Sequence, residues 1–437
     1  MYRLLWVSGQ ALHDSSSGAA LECRQLLAEL RRLRPDLAIE ALCCTCFDHE
    51  RGQAALPQLK DFRLEAGSEG LLRFEQDGIL WHYVVTQERH CLSVRESDIQ
   101  RYIQQGLRRL RDFRPQLLLG FSDMSGAMVL RGEAWARGIP NACYLGVDAY
   151  LRCSFGAVQL LLTNARATAQ RYAGHGLNAV PIGTCLDTDS SVAAPQERNP
   201  SFVTMVNPSP EKGVAVLAGL ARLCLREAPD VRFAVVESRG TLAQSLHELH
   251  EPGRSRPAGL TPRSLPNVQV LPHTQRMAGV YARTQVLLAP SLWWEAWGRV
   301  ATEALLNGVS VLCTTSGGLP EAAGVAQGAS LALPPPPACA ADFRCIPPEE
   351  QLQPWLSALR ELLSQDRSAA CAAAAAGMTP RAAAVRTWEA LLPLLRRSGS
   401  TRPDVPRRGL QYTDAFCQLP SHTSADGSAP RHGARRN

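Results

Sequence analysis

The strongest constraint on this chain is a rhythm that runs through it twice. Short apolar runs alternate with longer stretches whose apolar residues recur every three or four positions. In the first series RLLWV precedes LECRQLLAELRRL, and LAIEALCCTC (Leu37–Cys46) follows as the next strand. The amphipathic IQRYIQQGLRRLRDF leads into QLLLGFS, GEAWARGI leads into NACYLGV, and LLLTNARATAQRYAGHG reads as a strand and a helix. A polar, proline-bearing stretch, AVPIGTCLDTDSSVAAPQERNPS, then breaks the pattern. The second series holds the strands SFVTMV, VRFAVVE, NVQVLP, QVLLAP and SVLCTT, with the helices GVAVLAGLARLCLRE and RVATEALLNG. Alternation of this kind predicts parallel strands joined by crossover helices, a doubly wound α/β sheet. A length of 437 residues suits two such cores better than one. The break near Asp187–Arg198 predicts a Rossmann-like domain over 1–187 and a second over 188–397. Facing sheets of this type leave a cleft at the carboxyl ends of their strands, where ligands sit.

Charge and cysteine content narrow the classes. The net charge is +6, but eight arginines and three aspartates fall from Arg396 onward, so the body is close to neutral. That gives no case for a nucleic-acid binder. The tail 398–437 is rich in Pro, Ser, Gly and Arg and reads as disordered. The 14 cysteines, with close sets at Cys43, Cys44 and Cys46 and at Cys339 and Cys345, show no paired CxxC…CxxC spacing, so no structural zinc is expected. The opening MYRLLWVSG is too short for a signal peptide, and no apolar run is long enough to span a membrane. A reduced, cytoplasmic protein is the expectation. Among 46 basic residues only Lys60 and Lys212 are lysines. This makes Lys212 notable, because surface charge here is otherwise supplied by arginine.

The stretch PSLWWEAWGRVATEALLNG, Pro290 to Gly308, carries the most chemistry. A strand, QVLLAPS, runs into a loop, and a helix starts at Gly298. The free amides of Gly298, Arg299 and Val300, with the helix dipole, form a site for an anion such as a diphosphate. Glu295 precedes that turn and Glu303 follows it on the helix. Carboxylates accept hydrogen bonds strongly from hydroxyl groups, so the pair could grip a sugar and a ribose on either side of the diphosphate. Two alternatives stand beside this. Glu303 could simply bond within the core. The pair could be glycosidase acids, although eight helical residues span ~12 Å against the ~5–9.5 Å such acids keep.

This stretch resembles the E-x7-E signature of retaining glycosyltransferases of family 4 (glycosyltransferase group 1). Three further segments agree with it in order: TNARATAQRYAGHGLNAVPIGTCLDTD, VNPSPEKGVAVLAGLARL and SVLCTTSGGLPEAAG. The likeness covers roughly Leu160–Gly324, while the first half matches in rhythm alone. It implies the GT-B fold and a nucleoside-diphosphate sugar as donor substrate, with no cofactor and no metal. The reaction it implies moves a hexosyl-type sugar to a hydroxyl acceptor, with retention. It implies that Glu303 binds the ribose, that Glu295 contacts the donor sugar and that the amides of Gly298, Arg299 and Val300 hold the distal phosphate. Lys212 would pair with the diphosphate and offset charge on the leaving group. Gly317 and Gly318 would let backbone approach the donor, and Glu321 would either join them or cap the next helix.

The chain departs from that pattern at two places. Asn207 stands where the family usually has an arginine, with Arg299 or Arg239 as possible substitutes. Gly146 stands where the family often has a first-domain histidine, leaving Asp123 or His13-Asp14 as acceptor-side candidates. The acceptor itself, whether small molecule, glycan or lipid, has no motif. The segment QRYIQQGLRRLRDFR is the candidate for peripheral membrane contact. Asp187-Thr188-Asp189 spells a DxD that binds metal in a different fold, and His273 is a lone histidine after a strand. A phosphorylase or sugar synthase on the same fold, and a non-catalytic nucleotide-sugar binder, are the rival readings.

Overall fold

A computed structural model describes residues 1–49, 52, 56, 70–121, 124–151, 153–238, 240–254 and 256–397. Among them are two sheets. The first contains β1 (Tyr2–Val7), β2 (Leu37–Cys44), β3 (Leu71–Gln76), β4 (Ile79–Val84), β5 (Leu117–Gly120), β6 (Asn141–Leu145), β7 (Leu160–Thr163) and β8 (Ala179–Pro181). Their order is β3-β4-β2-β1-β5-β6-β7-β8. The second contains β9 (Phe202–Val206), β10 (Phe233–Val236), β11 (Val268–Leu271), β12 (Thr284–Ala289), β13 (Ser310–Thr314) and β14 (Leu331–Leu333), in the order β11-β10-β9-β12-β13-β14. Every pairing is parallel except β3 with β4.

Parallel strands are covered on both faces, so their sequences are apolar throughout rather than alternating. In β1, Leu4 and Trp6 enter one core layer while Leu5 and Val7 enter the other, as a period of two requires. The helix Gly18–Leu33 closes the first layer with Ala20, Cys23, Leu26, Leu27 and Leu30. The final helix, Pro380–Arg397, packs into that same layer through Ala383, Ala384, Trp388, Leu391 and Leu395. Trp388 meets the Tyr2 ring edge-on at 5.4 Å and lies under the Arg34 guanidinium at 4.1 Å. The preceding helix, Ser368–Ala375, instead packs into the second domain through Cys371, Ala374 and Ala375.

The antiparallel hairpin β3–β4 escapes a reading by rhythm alone. Its signal is Asp77-Gly78 between the two runs, where both residues take positive φ (55° and 68°), as a tight hairpin turn demands. No helix of the described residues is long and apolar enough to cross a membrane. In the segment QRYIQQGLRRLRDFR, Arg101 pairs with Asp98, and Arg109 reaches Glu40 and Asp112. The tail 398–437 lies outside the described residues.

Candidate functional site

In the second sheet the strand order reverses between β9 and β12, with β13 next to β12. The loops that leave these three strands at their carboxyl ends are therefore neighbours, at the switch point where open α/β sheets bind ligands. After β9 come Asn207 and Lys212, after β12 come Glu295 and the turn at Gly298, and after β13 come Gly317 and Gly318. Parallel register brings together three segments spread over more than a hundred residues.

Lys212 closes a 3-10 turn, Pro210–Lys212, ahead of the helix Val214–Glu227. Its ammonium forms an ion pair with Glu295 Oε1 and lies 4.6 Å from the centre of the Trp293 ring. Ser291 Oγ donates to the same carboxylate oxygen at 2.6 Å. Burial would by itself raise the Glu295 carboxyl, but the Lys212 charge and the bonds from Lys212, Ser291 and Trp293 outweigh it. The group is held below the usual carboxylate range and is an anion at neutral pH. Ser291 is in turn fixed through its carbonyl, which accepts from Thr314 Oγ1 at 2.6 Å and Ser316 Oγ at 3.1 Å.

Gly298 precedes the helix Arg299–Leu306 with φ of 102°, and a Cβ there would run into the Leu319 side chain. The geometry needs glycine. Among the described residues, no backbone acceptor is found for the amides of Gly298, Arg299 or Val300, whereas Ala301 already bonds back to the Gly298 carbonyl at 2.9 Å. Gly317, at φ 57°, packs so closely on the Glu295 carbonyl that a Cβ would overlap it, and Gly318 donates to that carbonyl at 2.8 Å. The two glycines thus hold the Glu295 loop from below.

Glu303 is buried, with Oε2 accepting from Tyr281 Oη at 2.9 Å and Oε1 lying 3.7 Å from Arg299 Nη2. Burial and the Glu303 charge push the Tyr281 phenol well up, so it remains a donor. Asn207 sits in the left-handed region at φ 62°, which asparagine tolerates. Its Oδ1 and the nearby Ser209 Oγ are buried without a partner among the described residues. Of the tryptophans, Trp297 is buried with Nε1 on Thr302 Oγ1 at 2.9 Å, Trp293 is exposed, and Trp294 stacks under Arg171 at 4.2 Å.

First-domain groups border this region. Thr168 Oγ1 donates to the Ala296 carbonyl at 2.9 Å, the Arg166 amide to Glu321 Oε2 at 2.9 Å, and Arg299 Nη1 to the Gly18 carbonyl at 3.1 Å. His13 lies in the loop after β1, but it is buried and boxed by aromatics. Nδ1 bonds Tyr83 Oη at 2.7 Å, Nε2 bonds Gln76 Oε1 at 3.2 Å, and the ring meets Trp81 edge-on. Burial and the nearby Arg24 lower its pKa to about 3, so the ring is neutral. Asp14 organises the same loop by accepting from the Ser16 and Asp48 amides. Asp123 and Arg239 lie outside the described residues. A Cβ on Gly146 would press on the Tyr144 ring at 2.9 Å. Asp187 caps a short helix by accepting from the Asp189 and Ser190 amides, and His273 is exposed after β11. Sequence reasoning misses Ser291, Tyr281 and Ser209. Tyr281 reaches Glu303 across a crossover, and no local pattern announces that contact.

Residues 199–344 match the family model of glycosyl transferases group 1. That match lies within the second domain and takes in Asn207, Lys212, Glu295, Gly298 and Glu303. No curated protein sequence matches the chain. Solved structures do: sucrose-phosphate synthase from Thermosynechococcus elongatus aligns at 14% identity and TM-score 0.59, covering 91% of this chain and 100% of that one. Anabaena HepE, solved with UDP and glucose, aligns at 13% and 0.59, covering 90% and 100%. The α,α-trehalose 6-phosphate synthase of Burkholderia multivorans aligns at 10% and 0.56, covering 91% and 98%. These likenesses span both domains, and the chain has the GT-B fold that its motifs imply.

Proposed function

We propose that this chain moves a hexosyl-type sugar from a nucleoside-diphosphate sugar to a hydroxyl acceptor, with retention and without a metal. One observation carries the reading. An ammonium group, a turn with three open amides, the half-buried Glu295 carboxylate and the buried Glu303 carboxylate converge at a single switch point of the second sheet. HepE, a structural relative, was solved with UDP and glucose, which supports a nucleotide-sugar donor here.

In this reading the diphosphate lies on the amides of Gly298, Arg299 and Val300 and draws Lys212 away from Glu295. Lys212 then faces the charge that grows on the diphosphate as its bond to the sugar breaks, and Glu295 is released toward the sugar hydroxyls. Glu303, steadied by Tyr281, accepts from the ribose. Cation work falls to Lys212 and the helix start, and Asn207 adds only a neutral group where a second cation would help. The first domain receives the acceptor.

Thermal denaturation with a panel of nucleoside-diphosphate sugars tests this. One donor should raise the melting temperature of the wild type, and Glu303→Ala should abolish the rise. A full rise in Glu303→Ala would remove the ribose role, and no rise with any donor would remove the function.

A further inference from the structure

Arg299 does two things in different directions. Its amide belongs to the open turn of the second domain, while its side chain leaves that turn and reaches the first domain. Nη1 meets the Gly18 carbonyl at 3.1 Å, Nη2 lies 3.7 Å from Glu303, and Nε is buried without a partner among the described residues. Gly18 starts the first helix, and Glu22 lies one turn along on the same face. Glu22 is only 4% exposed, a rare position for a carboxylate without a partner. Among the described residues its Oε1 makes no close hydrogen bond, nor do Tyr144 Oη on β6 and Thr184 Oγ1 in the interdomain segment, although both hydroxyls and the Cys185 amide face the carboxyl. Both hydroxyls and the Arg299 charge act on the Glu22 carboxyl, yet burial outweighs them and leaves its pKa raised. Among the described residues, four buried polar atoms from both domains thus lack a close hydrogen bond, three of them gathered at the Glu22 carboxyl and the fourth on the cation that acts on it. Native structures leave such groups without close partners only for a reason.

Resting on the donor reading above, we infer that Arg299 and Glu22 form a closure clasp: a diphosphate seated on the turn at Gly298 draws Arg299 onto Glu22 and fixes the first domain over the donor. Arg299 is then a positioning residue through its side chain, and Glu22 is its counterpart. The pair couples occupancy of the donor site to a helix that the donor does not touch.

Hydrogen exchange of the full chain, with and without UDP, GDP or ADP, tests this. The probe is whichever nucleotide raises the melting temperature of the wild type. In the wild type that nucleotide should slow exchange in residues 18–33 by about five- to 150-fold, the usual range of coupling between two sites. Glu22→Leu should still show the nucleotide's thermal shift but lose the slowing. Glu22→Gln, which keeps an acceptor for Arg299 and serves if the leucine variant does not fold, should retain only part of it. The double variant Glu22→Leu/Arg299→Leu should slow no less than Glu22→Leu alone. Wild-type slowing in Glu22→Leu, or in Glu22→Gln should the leucine variant not fold, overturns the clasp. Absence of any nucleotide shift in the wild type removes the donor reading, and the clasp with it.

Discussion

Replacing Lys212 by methionine separates two tasks of one ammonium group. In the wild type Lys212 offsets the burial of Glu295. Without it, the carboxylate keeps Ser291 but loses its counter-charge. Breaking a buried pair costs about 3–5 kcal/mol in a dry interior. Lys212 retains 24% of its side-chain exposure, so water screens part of the loss and about 2 kcal/mol is expected. The pH dependence should also change sign. Glu295 is now depressed, so its contribution is present above the unfolded value of 4.5 and lost as pH falls through the lower folded value. In Lys212→Met burial raises the group instead. Its contribution is then largest below the unfolded value and lost as pH rises, so the variant's deficit grows toward neutral pH. Urea denaturation at several pH values measures this. Adding Glu295→Gln should recover most of the stability.

Nucleotide affinity should not recover. A hydrogen bond from a charged donor contributes about 1.5–3 kcal/mol, which is about ten- to hundredfold in Kd. Titration calorimetry should show that loss for the nucleoside diphosphate and little change for the bare nucleoside, in both the single and the double variant. Equal losses for the diphosphate and the nucleoside would refute the assignment of Lys212 to the phosphates. A double variant no more stable than Lys212→Met would refute the account of Glu295.

Two further outcomes follow from the geometry. Gly298→Ala forces a Cβ into the Leu319 side chain at φ 102°; it should cost about 1–3 kcal/mol and remove the nucleotide's thermal shift, and retention of both stability and shift would show that the turn is not the phosphate site. His13 is neutral when folded, with a pKa of about 3 against 6.5 unfolded, so its contribution is present above 6.5 and is lost as pH falls through that window, by up to about 1.4 kcal/mol per pH unit. His13→Gln should flatten that slope in denaturation curves, and an unchanged slope would place the acid sensitivity elsewhere.

Much of the second domain is legible because its chemistry is local. Glu295, Gly298 and Glu303 lie on one strand–loop–helix unit, and the helix start is visible as a glycine before an apolar, periodic run. Lys212 stands out by rarity, though nothing in the sequence shows that it rests on Glu295. The clasp is invisible for the opposite reason. Glu22 looks like one polar residue in a helix dense with charge, and only the packed helix turns it inward. His13 misleads because a polar loop after β1 suggests an open mouth. The hairpin β3–β4 instead brings Phe74, Trp81 and Tyr83 around it.

The return of the last helix to the first core bears on how the halves can move. The chain crosses between them once around 182–201 and again just after Ala375, so they are pinned at two points rather than one. A body held by a single strand can swivel freely, whereas one held by two pins opens like a door about the line joining them. Any swing of the first half across the second is steered along one arc, and cutting the chain before Pro380 would both free that arc and strip Trp388 from the core it fills.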